Sequence, residues 1–315
     1  MSTISTETNK NVRHNKQKKK RNHVRMKWRD NLEGWLFISP MLLGFTIFMF
    51  GPLLYALFMS LHEWPLLGEE TFIGMENYQQ IFQDADFSNA LWNTVLFSLG
   101  LVPLNIILAM FLASLLREKF AGIGFFRTAI FVPVVTSLIV WAIVWKYLLA
   151  PEYGFINQIL GFIGIDGPSW LFNENTALPA VIVVSVLKNV GLNMILFLTA
   201  MQQVPGELYE ASELDGASRF RKFRNITLPL ITPTIFLVII ITTIGAMKIF
   251  GQIYVMTRGG PSDSTKVLVY YIWETAFNHF EMGYASALAF VLFFILLVFT
   301  IISWVVRKRW VFYED

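Results

Sequence analysis

From Tyr209 to Leu230 the chain reads YEASELDGASRFRKFRNITLPL, 22 residues in which acidic side chains give way to small ones and then to basic ones. Long apolar segments flank this run on both sides. Over its 315 residues the chain is 55% hydrophobic and only 15% charged, against about a quarter charged in soluble domains. Such a chain belongs in a bilayer, and the polar run is a loop at the membrane surface.

Working outward from the loop, six segments carry the roughly 20 apolar residues that cross a hydrocarbon core: 35–61, 92–116, 125–148, 177–201, 230–256 and 284–306. The expected fold class is an all-α integral membrane protein with six transmembrane helices. Pro40, Pro52, Pro103, Pro133, Pro179 and Pro233 fall within these segments. Membrane helices tolerate proline where neighbours re-satisfy the freed carbonyls, and kinks are expected at some of these sites. An amphipathic stretch, GFINQILGFIGI, follows the third segment at 154–165. The first segment reads as a retained anchor rather than a cleaved signal, because 34 mostly polar residues precede it and no small-residue cleavage site follows closely.

Basic residues set the orientation. With the amino terminus inside, 20 Lys/Arg flank the spans on the inner side and only Lys146, Arg258 and Lys266 on the outer. Both termini and the Tyr209–Leu230 loop are therefore expected in the cytoplasm. Residues 1–30 form a tail with ten Lys/Arg against Glu7 and Asp30, distinct from a transmembrane domain at 31–315. Within it, QKKKRNHVRMKWR reads as a topology signal drawn to anionic membrane lipid, not as a nucleic-acid patch. With no cysteine and four scattered histidines, the chain offers no disulfide, thiolate or metal site.

The loop, bounded at 205–229, carries its own punctuation. Pro205 to Asp215 suits a short helix, Gly216 suits its left-handed end, and Ala217 to Phe223 suits a second helical piece. Ala211, Ser212, Gly216, Ala217 and Ser218 keep the turn free of bulk, so another protein's backbone can approach. By composition alone, an interfacial loop whose basic half touches lipid headgroups accounts for the same residues.

The spacing is more specific than the composition. Glu210 and Ala211, Gly216 four positions past Ser212, and then Ile226, Leu228 and Pro229 after nine residues resemble the EAA signature loop of bacterial binding-protein-dependent ABC importer permeases. Ser212 stands where that motif has its second alanine. SPMLLGF at 39–45, FIGMENYQQIF ahead of ALWNT, LKNVGLNMILFL at 187–198, QIYVMTRGGPSDST at 252–265 and MGYASALAFVLF at 282–293 resemble the maltose-type, carbohydrate-importing branch.

This resemblance covers residues 30 to 310 and implies the type I importer permease fold in a bacterial cytoplasmic membrane. It implies a transporter subunit, not an enzyme. It also implies a second permease subunit forming a heterodimer, two cytoplasmic ABC ATPase subunits that bind ATP and Mg, and an extracytoplasmic solute-binding protein. No cofactor is expected in this chain and no nucleic acid as a partner. The helix ending near Gly216 would be the coupling helix, with Glu210, Ala211, Ser212, Asp215, Gly216 and Ala217 meeting the ATPase. Glu210 and Asp215 would face basic groups there, while Arg219, Arg221, Lys222 and Arg224 anchor the second helix at the membrane.

Polar groups inside spans mark candidate solute contacts. Lys188 lies mid-span, about 16 Å from the nearer end, beside Asn189 and Asn193, which at i and i+4 share a face. Thr242, Gly245, Lys248 and Gln252 make a second stripe, and Phe250 and Tyr254 add flat apolar surface suited to sugars. The asparagines fit a solute path and helix-to-helix hydrogen bonding equally; for Thr242, Lys248 and Gln252 the resemblance favours the path. A neutral oligosaccharide is the expected cargo. The two lysines leave an anionic solute, such as a uronate oligosaccharide or a glycerol phosphate compound, as the alternative.

On the outer side, TRGGPSDSTK at 257–266 lacks the GxxxxGK[ST] spacing of a phosphate loop. Gly259, Gly260 and Pro261 suit a turn that meets the binding protein, together with Glu69, Glu70, Glu76, Asp84 and Asp86. An intramembrane enzyme is the rival from another class, but the sequence has no HExxH, no intramembrane histidine, no GxSxG and no carboxylate pair within a span. A self-powered carrier would need coupling acids in the spans or an internal repeat, and neither is evident. Without a nucleotide-binding segment, the energy must come from a partner.

Overall fold

The computed structural model describes residues 33–64, 69–118 and 120–311; the basic tail and Lys119 lie outside them. In chain order these residues form α1 (Glu33–Ser60), β1 (His62–Glu63), β2 (Thr71–Phe72), α2 (Glu76–Ile81), α3 (Ala85–Leu115), α4 (Ile123–Val135), α5 (Leu138–Leu148), α6 (Phe155–Phe162) and α7 (Glu174–Gln203). There follow α8 (Gly206–Leu214), α9 (Arg219–Leu230), α10 (Thr232–Met247), α11 (Gly251–Met256), α12 (Leu268–Phe277) and α13 (Met282–Arg307). Four helices, α1, α3, α7 and α13, are long and apolar enough to cross a bilayer unbroken. The pairs α4–α5 and α9–α10 also qualify but bend by 103° and 70°, giving six spans if each pair crosses once.

Two expectations are corrected by these breaks. The third span is not one helix over 125–148, and the fifth does not run through 230–256: α10 stops at Met247, and Lys248 to Phe250 separate it from α11. The 154–165 stretch stays a separate short helix, α6.

Residues up to Phe58 form one unit and those from Met59 another. In the first unit, α1 contains a π turn at Thr46–Phe50, closed by the Gly51 N–H on the Thr46 carbonyl five residues back. Pro52 explains it, since proline lacks a donor and its ring crowds the carbonyl four residues before it; widening the turn relieves that contact. The same device recurs in the second unit, where a π turn at Phe223–Thr227 closes through the Leu228 N–H on Phe223 O just before Pro229.

In the second unit α3 and α7 form the central pair. Small residues let them approach: Ala109 and Ala113 are wholly buried in a cluster with Val190, Met194 and Phe197 of α7, and a Cβ on Gly100 would lie 2.7 Å from Ile182 Cδ1. Inside the pair, Asn105 Nδ2 donates to Val186 O at 3.2 Å, and Asn193 Nδ2 donates to Asn105 Oδ1 at 2.6 Å and to Thr242 Oγ1 at 3.0 Å. One polar knot therefore joins α3, α7 and α10.

The broken third span lies directly on α7. A Cβ on Gly191 would strike the Ile130 carbonyl oxygen and lie 3.1 Å from Phe131 Cα, so only glycine lets the two backbones touch. One turn earlier, Lys188 Nζ donates to the carbonyls of Pro133, Val134 and Thr136 at 2.5, 3.1 and 2.8 Å. Its donors reach the Val134 and Thr136 carbonyls at the bend and supplement the Thr136 N–H on Pro133 O, with a positive charge at the negative end of α4. Lys188 is thus committed to the backbone.

At the start of α3, Asp84 joins several chain segments. Its Oδ1 accepts the Asp86 N–H at 2.8 Å, capping α3, and its Oδ2 accepts the hydroxyls of Tyr271 at 2.6 Å and Tyr284 at 2.7 Å. Asp84 is therefore not free for a partner protein, unlike the exposed Glu69, Glu70, Glu76 and Asp86. The 257–266 loop is pinned to α3 by Asn93 Nδ2, which donates to Asp263 O at 2.9 Å and Lys266 O at 3.0 Å. Lys266, counted among the outer flanking charges, is 8% exposed and pairs with Asp263 and Glu274, each at 3.0 Å.

Replacing Lys188 by Met should strip the Val134 and Thr136 carbonyls of this donor in a medium without water, while Pro133 O keeps the Thr136 N–H, and destabilise the purified protein by several kcal/mol; an unchanged unfolding midpoint in detergent would contradict the capping role. Burial raises the Asp84 carboxyl, but the hydrogen bonds from Tyr271 and Tyr284 outweigh it and hold the group below its ordinary 3.8. Its stabilisation should be present above that pH and fade as pH falls through the lower folded value. Acid unfolding of wild type and Asp84→Asn, followed by near-UV circular dichroism, checks this: the variant should start less stable and lose less on acidification.

Candidate functional site

Two places gather the polar groups singled out in the sequence: the surface element α8–α9, and the break between α10 and α11. In the first, Gly206 to Leu214 form the helix as expected, and Gly216 takes φ +71°. The Ala217 N–H then reaches Ser212 O at 2.9 Å and the Gly216 N–H reaches Glu213 O at 3.0 Å, closing the last turn. The second helical piece begins at Arg219 rather than Ala217 and runs on to Leu230, with Ser218 Oγ accepting the Arg221 N–H.

What fixes α8 was not read from the sequence. Tyr209 OH bonds Thr227 Oγ1 at 2.7 Å, and the Arg117 guanidinium, just past α3, lies 4.4 Å from the Tyr209 ring centre. Lys222 pairs with Glu213, and hydrogen bonding and charge from Lys222 hold that carboxyl below its usual range. Lys222 thus holds α8 rather than serving only as a membrane anchor. The helix is tied to α3 on one side and α9 on the other. Its opposite side is free: Glu210, Ala211, Asp215 and Gly216 are exposed, Ser212 and Ala217 half-buried, and neither acidic side chain has a partner among the described residues. Ser212 Oγ donates to Tyr209 O at 2.8 Å, so its hydroxyl is satisfied within the helix.

The second place sorts the intramembrane candidates. Asn189 and Asn193 do not act as one polar face: Asn189 is exposed and donates to Ser185 O on its own helix, whereas Asn193 is buried in the knot with Asn105 and Thr242. Lys248 is exposed at the α10–α11 break, and no described carboxylate pairs with it. Gln252, one turn on, is 4% exposed and makes no side-chain hydrogen bond to a described residue. Gly251 admits Leu138 of α5 against the α11 backbone.

Aromatic rings surround this break. Phe250 stacks on Tyr254 with centroids 5.4 Å apart, and Trp273 of α12 lies 5.8 Å from Phe250 and 4.9 Å from Tyr254. Trp273 was missed because α12 lies in a stretch read only as an outer connection. Its signal was LVYYIWETAF, whose aromatic and apolar residues recur at helical spacing. Beside α11 a cavity of about 670 Å³ opens between Tyr147, Tyr153, Phe172 and Lys146, whose Nζ donates to Val255 O at 3.2 Å.

Residues 105–311 match the family described as binding-protein-dependent transport system inner membrane component. The chain is 37% identical over 274 residues to the probable ABC transporter permease protein YurN of Bacillus subtilis, covering 85% of this chain and 94% of that protein. It is 33% identical over 282 residues to the trehalose/maltose transport system permease protein MalF of Thermococcus litoralis, covering 88% and 94%. Its fold is similar to a chain in the crystal structure of a bacterial alginate ABC transporter in complex with an alginate pentasaccharide-bound periplasmic protein, with TM-score 0.80, 23% identity and 90% and 97% of the two chains covered. With two thirds of its residues matched by the family and relatives above 30% identity along most of its length, this multi-pass membrane protein belongs to the inner-membrane permease components of binding-protein-dependent ABC transport systems.

Proposed function

We propose that this chain forms half of the translocation path of an ATP-driven carbohydrate importer, and that α8 receives the mechanical input. The observation that carries the reading is the clamping of α8 between Arg117 and Thr227 while Glu210, Asp215 and Gly216 stay exposed. A helix tied to two spans yet unpartnered on its outer side can pass a displacement into the bundle. Its partner would be one of two cytoplasmic ABC ATPases, which hold ATP and Mg; the excess of basic residues on that side supports a cytoplasmic placing of the loop and both termini. A second, different permease completes the path as a heterodimer, and a solute-binding protein delivers the cargo to the outer loops.

For the cargo, the trehalose/maltose relative supports a sugar, and the aromatic rings beside Gln252 and Lys248 suit its chemistry. Sugars need flat apolar faces and amide donors, which Phe250, Tyr254, Trp273 and Gln252 supply. Lys188 is withdrawn from the path, its donors being used by backbone, and Asn193 and Thr242 are assigned to helix joining. The unpaired ammonium of Lys248 favours one second reading, an anionic solute such as a uronate oligosaccharide or glycerol phosphate compound.

Three variants test these assignments. Gly216→Asp places a side chain at φ +71° on the docking face, and pull-down of the ATPase and uptake should both fail while the chain still reaches the membrane; retained assembly contradicts docking. Tyr209→Phe removes one hydrogen bond worth about 1 kcal/mol, so the complex should assemble but transport fewer solutes per ATP, and unchanged stoichiometry would count against the clamp. Lys248→Met should spare neutral sugar uptake; loss confined to acidic solutes identifies an anionic cargo.

A further inference from the structure

A cavity of about 910 Å³ lies between the inner ends of α3 and α7 and the α8–α9 element, and transport as described above leaves it unused. Its deep wall is apolar: Ile107 and Phe111 of α3 are 66% and 57% exposed, and Phe220 of α9 faces them at 72%. From Ile107 to Arg117 is ten residues, about 15 Å at the helical rise, which is half of the roughly 30 Å hydrocarbon thickness of a bilayer. The groove therefore has the depth of one leaflet.

Its rim is charged. Arg117, Arg219 and Lys222 stand against Glu118 and Glu213, three cations to two carboxylates, leaving an excess of one positive charge. Lys222 is satisfied by Glu213, and Arg117 rests on the Tyr209 ring. No described carboxylate pairs with Arg117 or Arg219. A half-buried guanidinium at a membrane surface calls for an anion, and a planar fork of donors matches a phosphate bidentately.

We propose that this groove binds one anionic phospholipid, its phosphodiester between Arg117 and Arg219 and an acyl chain along Ile107 and Phe111. The lipid's single negative charge balances the rim, and its chain covers an apolar wall that the described residues leave open. Bound there, the lipid touches the elements that clamp α8, so lipid composition would tune how firmly the input helix is held. The tuning rests on the proposed role of α8, whereas the binding itself shares with that reading only the placing of the loop on the cytoplasmic side, which maleimide labelling of a Ser218→Cys variant tests by itself.

The test is native mass spectrometry of the protein with its transporter partners, released from nanodiscs containing equal phosphatidylglycerol and phosphatidylcholine. Wild type should retain one phosphatidylglycerol in clear preference. Arg219→Gln should lower that preference about fivefold, the effect of one basic residue at a membrane surface, and Phe111→Gln should release lipid of either headgroup. Excess inorganic phosphate should not displace the lipid. Equal retention of both lipids, an unchanged preference in Arg219→Gln, displacement by phosphate, or lipid held by the isolated chain but lost on assembly would each overturn the proposal; the last would mean that a protein partner covers the groove.

Discussion

A lysine ammonium held by three backbone carbonyls is what allows a membrane span to turn through 103° beside the central helix pair. In a bilayer no water is present to take up the carbonyls of a broken helix, and each one left bare costs several kcal/mol. Lys188 meets that cost from α7, and Gly191 one turn away lets the α4 backbone rest against α7. Residues after the bend are directed into α5, which packs α11 through Leu138 and Gly251, and α11 in turn carries the ring of Tyr254 to Trp273.

The same constraint governs the fifth span. Its π turn before Pro229, its 70° bend and its break at Lys248 to Phe250 are three departures from a straight helix within one segment. The first two lie next to α8, which is bonded to the π turn itself through Thr227. Under the proposed coupling role, a displacement of α8 would enter the span where its backbone is already irregular. The third lies at the far end, beside Lys248 and the aromatic rings. The proposed input and cargo sites thus lie at opposite ends of one interrupted helix, with the Asn105–Asn193–Thr242 knot between them.

Much of this was legible in the residues. Hydropathy over some 20 positions locates spans because the bilayer imposes that length on any helix, and the α8 boundaries followed from Pro205 and Gly216, whose backbone preferences are local. The breaks were not legible. Pro133 lies at one, but Pro103 and Pro179 sit inside continuous helices, so proline alone does not decide. What decides is whether a donor reaches the freed carbonyls, and Lys188 lies more than fifty residues from them in sequence. Distance in sequence likewise hid the Arg117–Tyr209 contact of the clamp. The carbonyls that receive the Lys188 ammonium were hidden in the same way: depth in a span marked the lysine as a candidate solute contact, and the structure sets its donors against α4 backbone.

Because the chain contains no cysteine, a single one can be placed without background. Ala211→Cys, derivatised with a photo-crosslinker in intact membranes and energised with ATP, tests the central claim that α8 is the input element. The account predicts an adduct with an ATP-hydrolysing subunit and protection from a membrane-impermeant thiol reagent added outside. Labelling from outside, or a crosslink only to lipid in the assembled transporter, would contradict it.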